Sequence, residues 1–245
     1  MAQRHPQHEH EHEGTMPRES RRLEPVEPTE ERWTPAGPIP AQASPQTVEQ
    51  LEVSTRATVA DPVPLGLASF AAATFTVSAV NAGWVGNPVA GLIAAVPILF
   101  VFGGISQYIA AMWAFRKGNT FAATAFGSFG AFNTLFAVII LMLASGTISL
   151  GTVPGDYTIA IVLAMFALIA GYLAFAATGV STMLVAVLGF LCATYALLSA
   201  GFFVGPPNAA ITAGGYAGIA SSLLAFYSSA AVVINSATRR EVLPF

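Results

Sequence analysis

Residues 158–177 read TIAIVLAMFALIAGYLAFAA, 20 positions without one charged side chain. A helix of about 20 apolar residues crosses the hydrocarbon core of a bilayer, whereas a buried helix of a water-soluble domain is shorter or has a polar face. Working outward from this run, comparable stretches lie near Leu65–Trp84, Ala90–Ala114, Thr124–Ser145, Ser181–Phe203 and Ala213–Ser236, separated by Gly, Pro, Asn or charge. Six spans result, and no further long apolar run remains for a seventh. The fold class is therefore all-α, a polytopic membrane protein with six transmembrane helices per protomer.

The distribution of charge supports this division. Of 13 acidic residues in the 245-residue chain, ten precede Asp61, as do six of the ten basic residues. From Pro62 to Phe245 the only charged residues are Arg116, Lys117, Asp156, Arg239, Arg240 and Glu241. Residues 1–60, rich in Pro, Glu, Gln, Arg and Ser, lack the apolar periodicity needed to offset the entropy of ordering and read as a disordered tail; 61–245 read as the membrane domain. The HEHEHE run from His8 to Glu13 reads as part of that solvated tail rather than a metal site. Arg116 and Lys117 follow span two, and Arg239 and Arg240 follow span six, an even number of spans later. The excess of cations on the cytoplasmic side of membrane proteins then places both termini in the cytoplasm and Asp156 in an external loop.

Composition excludes several chemistries. All four histidines (His5, His8, His10, His12) belong to the tail, so the spans offer no histidine for haem, zinc or a catalytic dyad. The only lysine, Lys117, lies between spans and leaves no buried amine for a Schiff base. No cofactor, metal or nucleic-acid partner is expected, and an enzyme is disfavoured because the spans contain no acid, base or metal ligand. Cys192 is the sole cysteine and reads as a packed thiol.

Polar residues inside the spans are the candidates for a solute path. Phe70, Thr74, Ser78 and Asn81 recur at spacings of four, four and three, which gathers them on one face of span one. Such a face suits a path through protein and equally suits interhelical hydrogen bonding. Ser221, Ser228 and Asn235 repeat the pattern in span six, with Gly214 and Gly218 spaced for close helix approach. Gln107 and Asn133 are costlier, because an amide in hydrocarbon must find partners or water. Asp61, Pro62 and Pro64 have the pattern of a helix start, and Pro97 is expected to kink span two.

Three ordered blocks resemble the acetate uptake transporter family, the bacterial succinate-acetate permeases and their fungal acetate and ammonia-export relatives. DPVPLGLASF, from Asp61 through Pro62, Pro64, Leu65 and Gly66 to Phe70, resembles the family's NPAPLGL signature followed by Phe. GGISQYIAAMWAFRKGNTFAATAFGSFG (103–130) resembles its GG-x-x-Q and KGNTF segments, and GGYAGIASSLLAFY (214–227) with RREVLP (239–244) resembles its last span and tail. The resemblance implies a six-helix protomer, a homo-oligomer that is commonly a hexamer, and a path through each protomer. It also implies a narrow apolar constriction at Phe70, Phe129 and Leu191, with Gln107, Asn119 and Thr124 at polar positions. Three residues depart from the pattern: Asp61 stands for Asn, Phe129 for Tyr, and Ala114 for a Glu common among relatives.

The expected function is a plasma-membrane transporter or channel-like permease for acetate and other small carboxylates such as succinate, with proton coupling as an open feature. Its partners are the carboxylate solute and membrane lipid. Passage of ammonia or another small neutral solute is the alternative within transport, and a non-transporting scaffold or sensor is the alternative outside it. The tail is expected to be dispensable. Deleting residues 2–55 should leave solute uptake per inserted molecule within about twofold, a barrier change of roughly 0.4 kcal/mol, and loss of uptake by a normally inserted variant would give the tail a part in transport.

Overall fold

The computed structural model describes residues 59–149 and 153–245, and the segment read as a disordered tail, with its HEHEHE run, lies outside the described residues. Six helices account for most of what is described. They are α1 (Val63–Asn81), α2 (Pro88–Arg116), α3 (Thr120–Ala144), α4 (Val153–Ala177), α5 (Thr182–Val204) and α6 (Ala209–Thr238). Each is long and apolar enough to cross a membrane, and there is no strand among the described residues.

Side-chain caps fix where several helices begin. Asn87 Oδ1 accepts the Ala90 N–H at 3.1 Å, Asn119 Oδ1 accepts that of Ala122 at 2.9 Å, and Ser181 Oγ accepts that of Met183 at 3.2 Å. Asn208 Oδ1 accepts two, from Ala210 at 3.0 Å and Ile211 at 3.2 Å. Each cap satisfies amides that a first helical turn leaves without a partner. They explain why α3 starts at Thr120 and α6 at Ala209, each four residues before the apolar run suggests. In α1 the cap position is Pro62, and Asp61, one residue outside it, accepts the Val63 N–H at 3.3 Å.

Two expectations are corrected. Asp156 is not in a loop: it lies in the first turn of α4 and is buried, where a carboxylate is favoured by the positive end of the helix dipole. Pro97 does more than kink span two, because it is followed by nine residues of wider π-type turns, Ile98–Ser106, before the α-helical pattern resumes at Gln107. Proline lacks the N–H that would continue the regular ladder, and such wide turns are rare and frequently found at functional sites.

Each helix packs on its sequence neighbours, except that α3 and α4 meet only thinly, and α1 packs extensively on α6. The order around the bundle is 3-2-1-6-5-4, with the α3–α4 seam closing it. Small residues allow the α1–α6 contact: a Cβ at Gly215 would fall on the backbone of Ala82, and one at Gly218 on the Ser78 hydroxyl. Serines join the helices where backbones run close. Ser221 Oγ donates to the Val187 carbonyl, Ser199 Oγ to that of Ala160 and Ser229 Oγ to that of Pro64, each at 2.8 Å. Ser228 instead bonds within its own helix, to Leu224 O. Cys192 is packed as expected, its thiol donating to Ala167 O at 3.3 Å.

Beyond α6 the chain folds back on the helix. Asn235 Oδ1 accepts the N–H groups of Val242 (2.7 Å) and Leu243 (3.0 Å), its Nδ2 donates to Leu243 O at 2.7 Å, and the Tyr227 hydroxyl donates to Pro244 O at 2.9 Å. The outer surface carries large apolar side chains such as Met112, Phe115, Leu168 and Phe175, as contact with lipid requires.

Gly215→Ala must push α1 away from α6, because the added methyl meets backbone rather than a mobile side-chain end. Thermal unfolding in detergent should show a loss of about 1–3 kcal/mol. Gly189→Ala, whose Cβ meets nothing within 4 Å, should be neutral or stabilising. Equal stability of the two variants would mean that the close α1–α6 crossing does not limit stability.

Candidate functional site

Two cavities lie one above the other in the bundle. The first, of about 160 Å³, opens at the end that carries Asp61, Asn119 and Phe245, and reaches inward to Phe70 and Phe129. The second, of about 50 Å³, is lined by Thr74, Ser78, Asn81, Asn133, Thr194 and Tyr195 among others, and also by Leu191. No residue is common to both linings.

Between them stands a buried aromatic layer. The rings of Phe70 on α1 and Phe129 on α3 are 5.7 Å apart, and Phe129 lies 6.4 Å from Tyr195 on α5. Phe132 continues the layer, 4.8 Å from Tyr195 and 4.7 Å from Phe166 on α4, both edge to face. Leu191, wholly buried, sits one turn before Tyr195 on α5. Phe70 and Phe129 are thus brought together from separate helices in the lining of the first cavity, while Leu191 lines the second beside Phe132 and Tyr195. Tyr195 was not singled out from sequence, although its position four residues after Leu191 puts the two on one helix face.

The polar residues divide among three settings. Thr74, Ser78 and Asn81 face one cavity, as their helical spacing implies. Asn133 lines the same cavity while its Nδ2 donates to Phe129 O at 2.9 Å, and Thr194 Oγ1 donates to Phe190 O at 2.8 Å. Asn119 lines the first cavity and caps α3 at the same time. Thr124 is half-buried and lines neither.

Gln107 also lines neither cavity. It is completely buried, and a Cβ at Gly130 would stand 3.3 Å from its own Cβ, so it lies where α2 meets α3. Both its Nε2 and its Oε1 lack a hydrogen-bond partner among the described residues. Leaving a buried amide unpaired costs on the order of 1–3 kcal/mol per group, which makes Gln107 the most expensive polar side chain in the described bundle.

The opening motif serves packing and the cavity mouth together. Asp61 lines the first cavity and pairs with Lys117 at 3.8 Å. The Pro64 carbonyl receives the Ser229 bond, Gly66 lies against the Phe126 ring where a side chain would clash, and Leu65 is partly exposed on the outer face. Asn235, read as part of a polar face of α6, is engaged with the returning chain instead. Among the described residues no three His, Cys, Asp or Glu come together as a metal site would require.

This arrangement can hold a small polar solute on either side of an apolar barrier, and the barrier disfavours anything that must keep its water shell. Similar chains are known. The succinate-acetate/proton symporter SatP of Escherichia coli K12 is 32% identical over 187 residues, spanning 76% of this chain and 95% of that protein. Acetate permease A of Emericella nidulans is 29% identical over 208 residues, spanning 76% of this chain and 65% of the permease. The structure of the bacterial acetate channel SatP matches with a TM-score of 0.69 at 28% identity, covering 77% of this chain and 99% of that one. The model of the GPR1/FUN34/yaaH family matches residues 44–244. With six membrane-spanning helices around two cavities and a match along most of its length, this multi-pass membrane chain belongs to the GPR1/FUN34/yaaH family.

Proposed function

We propose that the chain is a permease for acetate and succinate, passing the solute through each protomer from one cavity to the other across the layer of Phe70, Phe129 and Tyr195. The observation that carries this reading is the pair of cavities separated by buried rings, in a chain similar along its membrane domain to a succinate-acetate symporter and an acetate channel. Thr74, Ser78, Asn81 and Asn119 would replace part of the solute's hydration, and Leu191 would narrow the far side of the layer. The amide of Gln107, without a partner among the described residues, would serve a solute or water reaching the α2–α3 contact, and Thr124 would act through packing at most.

The residues of the aromatic layer and both polar linings, Asp61 apart, are uncharged, so a proton that crosses would travel on the solute or on water rather than on a buried carboxylate. No cofactor is needed. The protein would work in the plasma membrane as a homo-oligomer, a hexamer by resemblance. Of the six spans, α2 and α4 bury the smallest shares within the protomer, 22% and 28%, which leaves them the widest faces for lipid or neighbouring protomers. Residues 1–60 would form a cytoplasmic tail joined to a permease domain beginning at Asp61.

The end carrying Arg116, Lys117, Arg239 and Arg240 would face the cytoplasm. With Cys192 replaced by Ser, a cysteine at Tyr157 should react with an impermeant thiol reagent on intact cells, while one at Gly118 should not. The opposite pattern would reverse the orientation.

Flux of labelled acetate and succinate into proteoliposomes, with and without a pH gradient, tests the function itself. Phe70→Ala should raise the relative flux of the larger succinate, and Phe129→Tyr should alter the ratio with little loss of folded protein. Truncating a buried Phe costs about 3–5 kcal/mol of stability, so flux is expressed per folded molecule. Unchanged ratios in both variants would remove these rings from the barrier, and absence of flux in the unaltered protein would overturn the permease reading.

A further inference from the structure

The ion pair at the entrance has a polarity that the cavity can sense. Asp61 is part of the first cavity's lining, whereas Lys117, 3.8 Å away, is not. The acidic member of the pair thus borders the space a solute must enter, and it also borders an outer hollow shared with Pro62, Leu65 and Trp113, whereas the basic member borders neither. Both side chains remain partly open to solvent, Asp61 at 48% and Lys117 at 29%, so the pair adds little to stability. Among the described residues, the remaining charged ones at this end, Arg116, Arg239, Arg240 and Glu241, are exposed and do not line the cavity. Among the described residues Asn119 is the only other polar side chain in its lining, and it is engaged in capping α3.

We propose that Asp61 and Lys117 form a charge filter at the mouth of the first cavity, which sets how strongly a dianion is disfavoured relative to a monoanion. This rests on the permease reading and adds the residues that discriminate among its solutes. Coulomb energy is proportional to solute charge, so the Asp61 carboxylate opposes a dicarboxylate twice as strongly as a monocarboxylate, and Lys117 offsets part of that opposition. Removing either partner leaves the other uncompensated. The two removals must act in opposite directions, which a purely structural role would not produce. Asp61 also accepts the Val63 N–H at 3.3 Å, a bond that asparagine can make equally well, so the helix start is retained in Asp61→Asn.

The test uses the full chain in proteoliposomes at about pH 8, where both carboxyls of succinate are ionised. Asp61→Asn should raise the succinate-to-acetate flux ratio about two- to fourfold at low salt, Lys117→Gln should lower it by a similar factor, and the double variant should return close to the unaltered protein. Both shifts should shrink at about 0.5 M salt, where the screening length falls to roughly 4 Å. A second readout needs no transport. Val180, exposed and lining the same cavity, is replaced by Cys in a Cys192→Ser background, and its reaction rates with anionic and cationic thiosulfonate reagents are compared in detergent. The anionic-to-cationic rate ratio should rise with Asp61→Asn and fall with Lys117→Gln. Ratios that stay put in both variants, move in the same direction, or ignore salt would overturn the filter. If the unaltered protein passes neither solute, the permease reading fails while the thiol rates still decide whether this pair sets the potential of the cavity.

Discussion

In hydrocarbon a backbone amide or carbonyl has no water to bond, so each must be satisfied within the chain. That constraint selects helices for the six apolar runs and explains much of the remaining polar chemistry. The asparagines and serine that begin α2, α3, α5 and α6 satisfy first-turn amides. Ser199, Ser221 and Ser229 bond to carbonyls of neighbouring helices, and Asn235 bonds to the returning chain. Polar side chains here bond chiefly to backbone groups, and Gln107 stands apart because nothing among the described residues answers its amide.

Packing then divides between small and large residues. Gly215 and Gly218 let α6 approach the end of α1 so closely that backbone and hydroxyl touch where side chains would ordinarily stand. Across the bundle, where α3 and α4 barely meet, Phe132 and Phe166 close the gap with their rings. The barrier between the cavities is thus continuous with the aromatic packing that seals the seam. A change at Phe132 would be felt by Tyr195 and, through it, by Phe129.

The number and type of elements were legible because membrane thickness dictates a length that hydropathy reveals directly. Their ends were less so. Averaging over an apolar window overlooks Asn119 and Asn208, whose caps begin α3 and α6 before the hydrophobic run does. The face of α1 was legible from spacing alone, since Thr74, Ser78 and Asn81 do share a cavity. Gln107 stood out in the sequence by the cost of burying its amide, but the direction it faces did not, because the wide turns from Ile98 to Ser106 shift the angular phase of α2. Tyr195 passed unnoticed since an aromatic in an apolar span resembles ordinary core. Asn235 was misread for a different reason: its partners, Val242 and Leu243, reach it by a chain reversal that no periodicity encodes.

The placement of charge has an electrical corollary. Arg116 and Asp156 lie at the extremities of their helices, and the interiors of all six spans contain no Asp, Glu, Lys, Arg or His. A membrane voltage does work of about 2.3 kcal/mol per elementary charge per 100 mV, but only on charge that moves through the field. The helices offer it no such charge. Among the described residues, then, the span interiors give voltage no side-chain charge to move, and a solute crossing as an ion would bring its own.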